Sequence, residues 1–137
     1  ACGGSANNRR SPKPVIPHQL IGKRYRLGSN FEQHGTGDCL SLARAVLAYY
    51  GITTPEPQRH WYRRLKRGDT AVFREELERW GNRTELLDCG VVALCQADAG
   101  YGLATWYLDG WIHYAGSVVK WSPSEALQVH ALYCPRK

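Results

Sequence analysis

Apolar residues recur along this chain in two rhythms, and the change between them falls near residue 84. Before it the spacing is helical. Cys39, Leu42, Ala43, Val46, Leu47 and Tyr50 repeat at intervals of three and four, which puts them on one face of a helix. Asp38 precedes them and can cap the helix by accepting free N–H groups of its first turn. Gly51 follows them and can end it in the left-handed conformation. The spacing predicts a second helix over 58–66, with Trp61, Tyr62 and Leu65 as its apolar edge, broken by Gly68-Asp69. A third starts at an Asp69 or Thr70 cap, carries Val72, Phe73, Leu77 and Trp80 in one stripe, and stops at Gly81-Asn82.

From Thr84 the pattern turns to strands. Leu86-Leu87, 91–95, 103–108, 111–115 and 117–121 are strand candidates, and Asp109-Gly110 is a two-residue hairpin signal. Ser122-Pro123-Ser124-Glu125 opens a short helix with a serine cap, and 128–133 is a last strand. Ahead of the helices, 20–28 reads as a short strand or extended lead-in and 29–37 as a loop. Residues 1–17, rich in Gly, Asn and Pro, read as an extended arm. The chain therefore divides into an arm over 1–19 and a domain over 20–137. Helices first and a meander after predict an α+β fold, with N-terminal helices packed on one face of a C-terminal antiparallel sheet.

A chain of 137 residues with 43% hydrophobic and 22% charged residues is the size and composition of one globular domain. No apolar run approaches the roughly 20 residues that span a bilayer, so no membrane partner is expected. The formal net charge of +6 favours acidic partners. Arg59, Arg63, Arg64, Lys66 and Arg67 contribute a cluster that also suits a plain solvated helix face. No RNP-like, zinc-finger or helix-turn-helix signature accompanies the charge, so nucleic acid is not the expected partner. The five cysteines are odd in number and form no CxxC pair. Reduced thiols are expected, with no metal, iron–sulfur cluster or other cofactor.

Cys39 carries the candidate chemistry. On the first turn of a helix, partial positive charge stabilises a thiolate and lowers its pKa from about 8.5, which prepares a nucleophile. A buried structural cysteine is the alternative. Residues 22–28 (Gly-Lys-Arg-Tyr-Arg-Leu-Gly), then Gly37-Asp38-Cys39 with Leu42, then Tyr49-Tyr50-Gly51-Ile52 and Pro55 resemble the NlpC/P60 cysteine peptidases, in particular their bacteriophage-tail branch. In that family an Asp-Cys-x-Gly-Leu motif opens the nucleophile helix; Ser41 stands here at the glycine position. The resemblance implies a papain-like α+β domain that cuts peptide bonds in bacterial cell-wall peptides.

The resemblance also implies a base histidine at the start of one strand and a polar orienting residue on the next. Those positions match Leu103 and His113, and Trp106 replaces a small apolar residue between them. Leucine cannot accept a proton, and Tyr101, with an unperturbed pKa near 10, is a poor base. His34, close in sequence to Cys39, and His113 are the candidates to replace the base. The expectation is therefore a structural component of a phage tail or baseplate hub. It would be assembled in the host cytoplasm and carried in the virion among other tail proteins, with peptidoglycan as a further partner. The alternative is an active cell-wall endopeptidase: Cys39 as nucleophile, His113 or His34 as base, Asp38 and the helix N-terminus shaping the oxyanion site.

Overall fold

In a computed structural model, residues 15–58, 60–97 and 100–135 are described. The arm expected over 1–19 falls on residues outside them up to position 14. From there the chain is not extended throughout: Pro17–Leu20 form a 3-10 turn whose Leu20 is buried in the core.

The described residues contain four α-helices and six strands in an α+β arrangement. The helices are α1 (Phe31–His34), α2 (Cys39–Tyr49), α3 (Trp61–Lys66) and α4 (Ala71–Trp80). The strands are β1 (Gly81–Thr84), β2 (Val92–Ala97), β3 (Gly100–Tyr107), β4 (Gly110–Ala115), β5 (Val118–Pro123) and β6 (Val129–Pro135). They form one antiparallel sheet in the order β1-β6-β2-β3-β4-β5. The β2-to-β5 meander was expected. The return of β6 to the far side of β2, and the edge strand β1, were not.

Pattern reading locates α2 and α4 closely. Asp38 caps α2 through its side chain, and Gly51 takes φ 78°. Val72, Phe73, Leu77 and Trp80 are all buried. Two expectations need correction. Leu86 and Leu87 lie in an exposed loop instead of a strand. The loop expected over 29–37 contains α1, capped by the Asn30 side chain on the Gln33 N–H. Gly81 ends α4 as expected, and the chain passes directly into β1.

Glu76 is also buried, on α4. It forms an ion pair with Arg79 and accepts from the Gln58 backbone N–H, which holds the 56–58 loop against the helix.

The hairpin between β3 and β4 departs from the sequence reading by one residue. Its two-residue loop is Leu108-Asp109, both at positive φ (50° and 56°), flanked by the pair Tyr107–Gly110. Gly110 is needed on the strand because a Cβ there would lie 2.3 Å from the Trp121 ring, which covers it and donates its indole N–H to the Tyr107 carbonyl.

The sheet separates two packing layers. Leu103 on β3 and Val92 and Leu94 on β2 face α2 and α4, where Leu40, Ala43, Leu47, Phe73 and Leu77 cover them. Ala104, Trp106 and Trp111 lie in a separate cluster with Val91, Ala93 and Cys95. Consecutive strand residues point to opposite faces, so this second cluster lies on the face away from the helices. Trp61 and Trp80 fill the helix-side core, and neither buried indole N–H has a hydrogen-bond partner among the described residues. Gly110→Ala should destabilise the fold by about 1–3 kcal/mol, as overpacking does. Urea denaturation with circular dichroism measures it, and an unchanged midpoint would contradict the Trp121 packing described here.

Candidate functional site

The start of α2 is built by a capping box. The Asp38 carboxylate accepts from the Ser41 N–H (2.9 Å), and the Ser41 hydroxyl accepts from the Asp38 N–H (2.7 Å). The second carboxylate oxygen takes the Gly28 N–H at 2.9 Å, which ties the lead-in segment to the helix. Asp38 is 1% exposed, and burial raises its pKa, opposed by these hydrogen bonds. The capping box gives Ser41 a defined role at this position.

Cys39 follows on the first turn, half-buried and packed against the helix-side core. Its thiol is not activated. Burial first, then the neighbouring Asp38 carboxylate, push its pKa up to about 12, while the Leu103 backbone N–H, facing the sulfur, pulls the other way. This reverses the expectation of a lowered thiol pKa.

Leu103 lies on the same side of the sheet as Cys39, in the helix-side core. His113 does not. It pairs with Ala104, whose cluster lies on the far face, and directly paired residues share a face. There His113 is 8% exposed, its Nε2 lies 2.8 Å from the Ser122 hydroxyl, and burial lowers its pKa. His113 therefore cannot serve as base or orienting residue for Cys39 across the sheet.

The residue that the register sets beside Leu103 is Tyr114, one step on from the Ala104–His113 pair. It packs towards the helices, and its hydroxyl lies within hydrogen-bond distance of the Gly37 carbonyl (3.0 Å) and the Arg24 carbonyl (3.1 Å). Tyr25 packs edge-on against it at 5.3 Å. Burial, Cys39 and Asp38 together raise the Tyr25 pKa to about 12, and burial raises that of Tyr114. Two protonated phenols, and not His113, thus stand near the sulfur. Sequence reasoning missed both. The shortness of the hairpin loop was the signal that would have found Tyr114.

His34 ends α1, exposed, and its Nδ1 accepts from the Asn30 N–H at 3.2 Å. It closes its own helical turn. Tyr101 packs against His130, at 5.3 Å between ring centres, and its backbone N–H donates to Thr70.

A cleft of about 360 Å³ opens beside the start of α2, lined by Asp38, Ser41, Arg44, Glu56 and Tyr62 among others, but not by Cys39. Arg44 is engaged within it, in an ion pair with Glu56 at 3.1 Å and a hydrogen bond to Thr54.

Among the described residues no group of three or more His, Cys, Asp or Glu side chains could hold a metal ion. Cys39, Cys95 and Cys134 are free thiols. Cys89 is disulfide-bonded, against the expectation of reduced thiols throughout. No protein-family profile matches the chain, and no curated protein matches it.

The folded-state pKa of Cys39 lies above the unfolded value of about 8.5. Its protonated form is therefore favoured by folding, and that stability is present below about pH 8.5 and lost as the pH rises towards 12. Cys39→Ala should reduce the alkaline loss of thermal stability. At neutral pH iodoacetamide should modify exposed Cys134 and spare Cys39, as read by peptide mass mapping. Rapid neutral alkylation of Cys39 would contradict the site as described.

Proposed function

We propose that this chain is a papain-like, NlpC/P60-like domain that has lost peptidase turnover and serves as a structural part of a bacteriophage tail or baseplate hub. One observation carries the loss of turnover: the side chain beside Cys39 at the base position is Leu103, and the candidate imidazole carried by the sheet, His113, lies on its opposite face.

A cysteine nucleophile needs a base within hydrogen-bond reach and a group to orient that base. General-base assistance is worth roughly a hundred- to ten-thousand-fold. A thiol whose pKa is pushed up to about 12 starts with almost no thiolate at neutral pH, which compounds the loss. The resemblance in residues 22–55 supports the tail setting. So does an aromatic composition of eight Tyr and five Trp against two Phe, since amphipathic rings suit protein interfaces.

Incubation with purified peptidoglycan, followed by chromatography of released peptides, tests the proposal. The wild-type chain is expected to release none. Leu103→His with Tyr114→His returns two imidazoles to the Cys39 side and is expected to give release that Cys39→Ala abolishes. Wild-type release that disappears in Cys39→Ala would refute the proposal and favour an active endopeptidase.

A further inference from the structure

The formal charge of +6 is not spread evenly along the sequence. Residues 1–31 contain Arg9, Arg10, Lys13, Lys23, Arg24 and Arg26 and no Asp or Glu, whereas the rest of the chain holds twelve cations and twelve acids and is neutral.

The fold adds one more cation to this end. Residues 22–25 run along the outer edge of β5: the Gly22 N–H donates to the Val119 carbonyl (2.9 Å), the Val119 N–H to the Lys23 carbonyl (2.9 Å) and the Tyr25 N–H to the Ser117 carbonyl (2.8 Å), and Arg24 bridges Val118. This places Lys120 beside Lys23 and Arg24. Among the described residues none of Lys23, Arg24, Arg26 or Lys120 is paired with a carboxylate. Elsewhere Arg44, Arg64 and Arg79 are, while Arg63, Lys66 and Arg67 around α3 likewise make no ion pair among the described residues.

Exposed apolar side chains collect at the same edge. Ile16, Ile21, Leu108 and Trp121 are 40 to 57% exposed. Ile21 precedes the segment bonded to β5, Trp121 lies two residues beyond Val119, and the Trp121 indole N–H is already spent on the Tyr107 carbonyl next to Leu108. Its ring is thus left as an apolar surface.

We propose that this edge is a docking surface for an anionic lipid bilayer, which the chain would touch peripherally without crossing. Unpaired Lys and Arg attract acidic headgroups, while aliphatic side chains and a Trp ring beside them enter the boundary between headgroups and acyl chains. Aliphatic residues have no counterpart on a phosphodiester strand, and this favours lipid over nucleic acid. The absence, among the described residues, of a helix long and apolar enough to span a membrane concerns crossing only. Tyr25 of this segment stands near Cys39, but the cationic and apolar side chains invoked here take no part in that site, so this inference stands apart from the reading of the peptidase site.

Sedimentation of the full chain with vesicles tests it. Retention is expected on equimolar phosphatidylglycerol and phosphatidylcholine, falling with added salt, and not on phosphatidylcholine alone. Lys23→Gln with Lys120→Gln, both exposed, should weaken partitioning roughly thirtyfold. Ile21→Ser should weaken it by about tenfold. Equal retention on uncharged vesicles, no retention on either, or indifference to Ile21→Ser would overturn the proposal. So would tighter binding to a single-stranded oligonucleotide than to the anionic vesicles.

Discussion

The length of one hairpin loop decides what surrounds Cys39. Side chains alternate across a sheet, so moving the pairing by one residue exchanges the two faces of a strand. With Leu108-Asp109 as a two-residue loop, Tyr107 pairs with Gly110 and Ala104 with His113, and Tyr114 is carried to the helix side next to Leu103. A loop one residue longer would turn His113 towards the helices. The short loop is enforced from outside: the Trp121 ring occupies the space over Gly110 and keeps that glycine in the strand. It also holds Leu108 in a left-handed conformation that L-residues adopt at a cost of roughly 1–2 kcal/mol.

The electrostatics at α2 turn on a competition of unequal terms. A helix N-terminus stabilises a negative charge by about 0.3–1 kcal/mol, less than one pKa unit. Burial and the adjacent carboxylate raise the Cys39 thiol from 9.0 to about 12. The N–H groups that might have favoured a thiolate are in part already spent, since Asp38 takes that of Ser41. The residue that makes the helix start so well defined is thus also one that holds the sulfur protonated.

Much of the fold was legible because it is written in local terms. The cap at Asp38, the stop at Gly51, the stripe of Val72, Phe73, Leu77 and Trp80, and the four meander strands each follow from spacing over a few residues. β1 was not legible: Gly-Asn-Arg-Thr has no apolar alternation, and it is a strand because β6 returns to pair with it. Leu86 and Leu87 failed in the opposite way, as apolar residues with no neighbouring strand to cover them. In the candidate site, Cys39, Asp38 and Leu103 were found in place. The face occupied by His113 follows from loop length alone: a two-residue loop at Asp109-Gly110 would pair it with Trp106, and the observed loop pairs it with Ala104, both on the far face.

Among the described residues, the two indoles at the centre of the helix-side core find no partners for their N–H groups. Each such group forfeits, on folding, hydrogen bonds that water supplied to the open chain, at about 1–3 kcal/mol. Trp61 and Trp80 are thus retained for bulk and shape, in spite of their polarity. Their apolar surroundings should make these two rings the blue-most contributors to the protein's intrinsic emission, a built-in gauge of whether the interior stays shut.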